Sequence, residues 1–345
     1  MDGTMAGDRR GEGPRSTAGE GSDVVVADGL VKRFADITAL DGISFRVRGG
    51  ELFGCIGPDG AGKTTLFRIL STLLVPDAGT AHVLGHDVVA DLWKLRRRIG
   101  YMAGRFSLYA DLSVEENVRF FASVFGTSLE RERDQIAPIY AQLEPFRGRR
   151  ASALSGGMKQ KLTLCCALVH RPDILLLDEP TTGVDAVSRR EFWDLLDRLK
   201  ASGLTIVVST PYMDEARRCD RVALMQGGRI LAIDTPGAIT RSFDRPLFAV
   251  RAAARYRALR AIREYDHTHT IFPFGEVLHY TDVRTDVPPA RTARDLADFL
   301  RARGMAQVEV SPIDATVEDV FMARMASPRG ERSEAYESPS GPPRA

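Results

Sequence analysis

Apolar residues along the chain fall into two rhythms. Short runs at 24–27, 43–47, 52–56, 99–102, 174–177 and 204–209 are bounded by polar, Gly or Pro positions and predict β-strands. Between them, apolar positions recur every three or four residues at 63–74, 114–125, 130–143 and 158–169, which predicts helices. Strands alternating with helices imply an α/β fold with a largely parallel sheet. After about residue 243 the pattern changes. Strand-like pieces at 247–250, 277–280 and 308–310 interleave with helical stretches at 255–263, 290–303 and 317–323, which predicts a small α+β domain. The expected organisation is a main domain at 23–242 and an appendage at 243–325. The flanking segments 1–22 and 326–345 offer little to bury and are expected to be disordered tails.

Composition narrows the function. Apolar residues make up 44% of 345, enough for a full core, and the formal net charge is +1. That balance argues against a broad nucleic-acid surface. No apolar run approaches the roughly 20 residues of a spanning helix, so any service to a membrane is expected from its side, through a spanning partner. The four cysteines, Cys55, Cys165, Cys166 and Cys219, form no C-x-x-C pair. They read as buried reduced thiols. His267 and His269 are expected at the surface or a sheet edge rather than on a metal.

Three motifs carry chemistry. Gly57-Pro58-Asp59-Gly60-Ala61-Gly62-Lys63-Thr64 fits G-x-x-x-x-G-K-[ST] between a strand and a helix, with Thr65 next in line. Its backbone amides would cradle phosphates, Lys63 would reach the β- and γ-phosphates, and Thr64 would ligate Mg²⁺. The run 174–177 ends in Asp178 and Glu179. At the C-terminal edge of a parallel sheet, Asp178 would hold the metal and Glu179 would polarise an attacking water. Ser155-Gly156-Gly157 opens a helix as a second anion-binding start, more than one nucleotide ordinarily takes from one subunit.

With Leu154-Ser155-Gly156-Gly157-Met158-Lys159-Gln160, the sequence resembles the ATP-binding cassette (ABC) family over about residues 24–240. The resemblance implies a P-loop NTPase of the ABC ATPase type, with a helical subdomain at about 105–168. It implies ATP and Mg²⁺ as ligands and a head-to-tail dimer, in which the signature of one subunit closes on the nucleotide of the other. It assigns Phe34 to adenine stacking and Asp185 to the partner subunit. GPDGAGKTT, RFSLYADLSVEEN, YMDEA and the ending Thr316-Val317-Glu318-Asp319-Val320-Phe321 resemble the drug, antibiotic and polysaccharide exporter group.

Two positions depart from the family. Gly104 stands where members carry a Gln that contacts Mg²⁺ and the water. Pro211 stands where they carry a His that contacts the γ-phosphate. The resemblance therefore implies a subunit that binds ATP well and hydrolyses it slowly at its own site. It would pair with a second cassette subunit and with transmembrane permease subunits at the cytoplasmic face. The competing readings are a non-hydrolysing regulatory subunit and a soluble family member acting on ribosomes or DNA. Within 105–125, Phe106 and Tyr109 are expected to dock the permease, and Phe120 and Phe121 to pack inside.

Overall fold

The computed structural model describes residues 22–326; the expected tails lie almost wholly outside them. Ala326, read as the head of the C-terminal tail, instead closes the last helix. The chain divides into two compact units between Ile239 and Thr240. In chain order the first carries β1 (Asp23–Phe34), β2 (Ile37–Arg48), β3 (Leu52–Ile56), α1 (Lys63–Leu70), β4 (Ala78–Val83), β5 (His86–Asp87), α2 (Leu92–Arg96), β6 (Ile99–Met102), α3 (Val114–Val124), α4 (Leu129–Leu143), α5 (Gly156–Leu168), β7 (Ile174–Asp178), α6 (Ala186–Ala201), β8 (Thr205–Thr210), β9 (Arg221–Gln226) and β10 (Arg229–Asp234), with α7 (Pro236–Arg241) running across the break.

Two sheets build this unit. One has six strands in the order β10-β9-β3-β8-β7-β6, parallel except for the antiparallel β9–β10 hairpin. Every residue of β3, β7 and β8 is buried, as continuous apolar runs require when both faces of a strand are covered. The other sheet is antiparallel, in the order β2-β1-β4-β5. The pattern at 24–27 and 43–47 marked only the middles of its two longest strands. Between Ala27 and Val31 the β1–β2 register shifts, and Gly29 takes a positive φ of 61°, which breaks the period-two signal.

Helix α1 stops at Leu70 rather than 74. Thr72 turns left-handed there (φ 64°), and the amides of Leu73 and Leu74 bond back to the Arg68 carbonyl. Helices α3 to α5 form the helical part. A capping box starts α3: Ser113 Oγ accepts from Glu116 N at 3.2 Å, and Glu116 Oε2 accepts from Ser113 N at 2.7 Å. Fully buried Asn117 pins the preceding loop through Tyr109, Leu112 and Ser113. Phe120 departs from the expected division of aromatics. It is 38% exposed and meets Tyr109 edge-on at 4.7 Å, so it belongs to the outer cluster. Among the described residues no helix is long and apolar enough to cross a membrane.

The second unit comprises β11 (Leu247–Arg251), α8 (Arg255–Arg263), β12 (Thr268–Phe274), β13 (Val277–Asp282), α9 (Pro289–Ala302), β14 (Glu309–Ile313) and α10 (Val317–Ala326). Its antiparallel sheet runs β12-β13-β11-β14. Phe248, Val250, Leu278 and Tyr280 pack there with Ala258, Ile262, Leu296 and Leu300. This is the α+β arrangement read from the pattern. His267 and His269 lie at and just before the start of the edge strand β12 and are not buried.

Candidate nucleotide-binding site

Strand register brings the chemistry together. Ile56 pairs with Thr210, and Asp178 pairs with Ser209, so the C-terminal ends of β3, β8 and β7 lie side by side. The loop Gly57–Gly62 leaves β3, and Gly57 N donates to the Thr210 carbonyl at 3.2 Å. Glycine is obligatory at both ends of that loop. A Cβ on Gly57 would lie 2.1 Å from the Met225 carbonyl oxygen, and one on Gly62 would lie 2.4 Å from that of Ala39. Gly62 also has a φ of 100° and caps α1 without a side chain, leaving first-turn amides to an outside acceptor.

Lys63 is 3% exposed. Its Nζ donates to the carbonyls of Gly57 at 2.7 Å and Pro58 at 3.0 Å, and stands 3.1 Å from Glu179 Oε1. The ammonium is thus held over the loop's mouth. Asp59 and Gly60 are exposed, and Thr64 and Thr65 are half-buried on the first turn of α1. Ala61 is 2% exposed with its methyl in the core, so only its backbone serves the loop.

Asp178 is buried, and its Oδ1 accepts from Ser209 Oγ at 2.7 Å and Thr64 Oγ1 at 3.3 Å. Burial pushes its carboxyl above the ordinary value, while those hydrogen bonds pull the other way. A hydroxyl and a carboxylate this close are hard oxygen donors of the kind Mg²⁺ takes together with phosphates and water. Glu179 occupies the left-handed region at φ 50°, at a cost of about 1–2 kcal/mol for a residue with a Cβ. Its amide is clasped by Ser209, at 2.9 Å to Oγ and 3.1 Å to the carbonyl. Its Oε2 accepts from Thr182 Oγ1 at 3.4 Å.

The two departures lie at this same edge. A Cβ on Gly104 would stand 3.1 Å from the Asp178 carbonyl oxygen and 3.7 Å from both Asp178 Oδ2 and Glu179 Cβ. A side chain there would reach the acids, and glycine supplies none. Pro211 directly follows Thr210, whose carbonyl holds Gly57. Its ring has no hydrogen to donate.

The remaining residues stand apart from this cluster. Ser155 caps α5, accepting from Met158 N at 3.3 Å, and is exposed with Gly156. Gly157 is buried. A Cβ on it would lie 2.5 Å from Ser188 Oγ, so this glycine lets α5 approach α6. The absent side chain of Gly157 thus serves packing, which leaves the role of its backbone amide untouched. The nearest neighbour of a Cβ on Gly156 is the Gly183 carbonyl, at 3.6 Å. Asp185 is exposed and caps α6, its Oδ1 accepting from Val187 N at 3.1 Å and Ser188 N at 3.0 Å. Hydrogen bonding from Ser188 holds its carboxyl below the ordinary value. Phe34 is 45% exposed at the β1–β2 turn, with Lys32 Nζ 5.6 Å from its ring centre. The motifs assign no role to Ser209, nor to Asn117 and Glu215, although RFSLYADLSVEEN ends in Asn117 and YMDEA contains Glu215. Ser209 sits at the polar end of the apolar run 204–209, and that end was the signal for it.

Comparison with known proteins supports a common origin. The ABC transporter family profile matches residues 40–182. The probable multidrug ABC transporter ATP-binding protein YbhF of Escherichia coli (strain K12) is 44% identical over 218 residues, which make up 63% of this chain; the chain spans 38% of that relative's length. The daunorubicin/doxorubicin resistance ATP-binding protein DrrA of Streptomyces peucetius is 33% identical over 323 residues, covering 90% of this chain and 94% of the relative. A solved dimeric ATP-binding cassette in a post-hydrolysis state, bound to ADP and Pi, superposes with a TM-score of 0.56. It is 26% identical, and the match covers 61% of this chain and 98% of that one.

Proposed function

This chain belongs to the ABC transporter family, and from that premise we propose that it is the peripheral ATP-binding and ATP-hydrolysing subunit of a membrane exporter. The observation that carries the reading is the convergence of Lys63, Thr64, Asp178 and Glu179 at one sheet edge. Export draws on relatives named for drug resistance and multidrug transport. The spanning part belongs to permease subunits, and this chain sits against them at the cytoplasmic face of the membrane.

In this reading the amides of residues 57–64 and the Lys63 ammonium clasp the β- and γ-phosphates, displacing the Lys63–Glu179 pair. Phe34 covers the adenine. Thr64 and Asp178 hold Mg²⁺, which when bound neutralises charge on the phosphates. Glu179 accepts a hydrogen bond from the attacking water and draws off its proton. Ser155 and Gly156, exposed at the start of α5, with the backbone amide of Gly157, close on the nucleotide of a second subunit, and Asp185 lies toward that subunit.

Gly104 and Pro211 set the rate. Each removes one preorganised contact to the reacting groups, and one such loss costs about 10²–10³ in turnover. Phosphate binding does not depend on them. The chain therefore binds ATP firmly, turns it over slowly at its own site, and completes the opposite site of a partner cassette that keeps Gln and His. A wholly non-hydrolysing regulatory subunit is the second reading; Gly104 and Pro211 favour it, and Glu179 opposes it. Turnover by the purified chain, alone and mixed with such a partner, decides. We expect a slow rate alone, abolished by Glu179→Gln, and a fast rate in the mixture. Fast turnover by the lone chain overturns the asymmetric pair, and a lone rate unchanged by Glu179→Gln removes Glu179 from its role.

A further inference from the structure

We infer that Glu215 is a positioning residue for Glu179, acting through Thr181. The inference rests on the ATPase reading above. Glu215 lies in the 3-10 turn Met213–Arg218 after β8 and is 4% exposed. Thr181 Oγ1 donates to its Oε1 at 2.9 Å and its Oε2 at 3.1 Å. Thr210 Oγ1 donates to Oε2 and accepts from Tyr212 N at 3.0 Å. Arg189 Nε stands 3.8 Å from Oε1, a long approach for an ion pair.

A carboxylate removed from water and answered by two neutral hydroxyls is an expensive way to fill space. Its geometry explains its presence. Thr181 lies two residues beyond Glu179 on the loop after β7. Thr210 ends β8, and its carbonyl receives Gly57 N. Glu215 therefore ties the loop that bears Glu179 to the strand that anchors the phosphate loop.

Glu179 needs such a tie, because its left-handed backbone relaxes unless held on both sides. Ser209 clasps its amide on one side, and Thr181 with Glu215 closes the other. Lys63 pairs with Glu179 at 3.1 Å, but it is also fixed by the carbonyls of Gly57 and Pro58, which do not depend on the Glu215 tie. Loosening the tie displaces the water-polarising carboxylate and leaves the phosphate grip in place. Misplacement of about 1 Å costs on the order of 10²-fold in rate.

The test pairs single-turnover ATP hydrolysis, with the full-length protein in excess, with titration of a fluorescent ATP analogue. Glu215→Gln and Thr181→Val, both nearly isosteric, should each lower the rate about tenfold or more and shift the nucleotide dissociation constant by less than about twofold. The double variant should be no slower than the worse single one, since both cut one tie. Thr181→Ser keeps the hydroxyl and should keep the rate. Unchanged rates in Glu215→Gln and Thr181→Val, a parallel loss of affinity and rate, or failure of Thr181→Ser to rescue would overturn the inference. An unaltered protein that ignores nucleotide, or binds it equally after Lys63→Ala, would instead overturn the ATPase reading. An unaltered rate no higher than that of Glu179→Gln would leave Glu215 no reaction to serve and overturn the inference too.

Discussion

A Cβ at Gly104 would stand 3.1 Å from the Asp178 carbonyl oxygen, a tight contact that asks the backbone to give by a few tenths of an ångström, and 3.7 Å from Asp178 Oδ2 and Glu179 Cβ. A side chain there would start beside both acids once that contact eases. Gly104→Gln combined with Pro211→His should raise turnover of the lone chain by about 10²-fold or more, leaving nucleotide affinity nearly unchanged; steady-state kinetics with a binding titration would read this. At this scale the motifs were legible because phosphate binding demands fixed residue types at fixed spacings. Lys63, Thr64, Asp178 and Glu179 stood out for that reason. Glu215 lies in YMDEA, but its role was not legible, because a buried Glu and an exposed one look alike until the fold brings Thr181 and Thr210 to it. Gly157 was read for its amide, and its packing role needed the position of Ser188.

Helix α5 shows what one glycine decides for an element. Gly157→Ala would drive a methyl into Ser188 Oγ, 2.5 Å away. Overpacking of this kind costs about 1–3 kcal/mol, against roughly 1 kcal/mol gained in helix propensity. Gly156→Ala meets nothing closer than 3.6 Å. The first variant should lower the melting temperature and the second should not, as calorimetry would show. Helix α10 is held differently. Thr316 Oγ1 donates to Asp319 Oδ2 at 2.7 Å, and His279 Nδ1 on β13 lies 2.6 Å from Asp319 Oδ1. Burial raises the Asp319 carboxyl, but the hydrogen bonds from His279 and Thr316 outweigh it and hold the group below its ordinary 3.8. A carboxyl lowered on folding stabilises the fold above the unfolded value and loses that contribution as pH falls through the folded one. Unfolding of the second unit should therefore steepen as pH drops below 3.8. Asp319→Asn should flatten that limb, followed by circular dichroism. Helices α1, α3, α4, α5, α8, α9 and α10 were legible from period, whereas α2, α6 and α7 were not read from it. Strands β4, β5, β10 and β12 are short, half-exposed or bulged, so their period-two signal is faint; β9, with its middle four residues buried, is an apolar run that the pattern reading left unused.

For the molecule as a whole, the change of pattern near residue 243 fell close to the structural break between Ile239 and Thr240. Composition marks such a break because a second core needs its own set of apolar positions. The second unit's part in the work was not legible, since packing residues dominate its sequence. The cysteines supply a means of watching the two units separately. All four lie in the first unit and are buried. Burial raises each thiol, Cys55 to about 12. A reagent that attacks thiolate finds almost none in the native state, so modification must wait for the backbone to open. The chain thus carries a chemical clock on one half only. Its ticking should slow as Mg-ATP fills the loop two residues past Cys55, because ligand held by the closed form makes opening rarer in proportion to saturation. Timed alkylation followed by mass spectrometry would read that clock without a label being added.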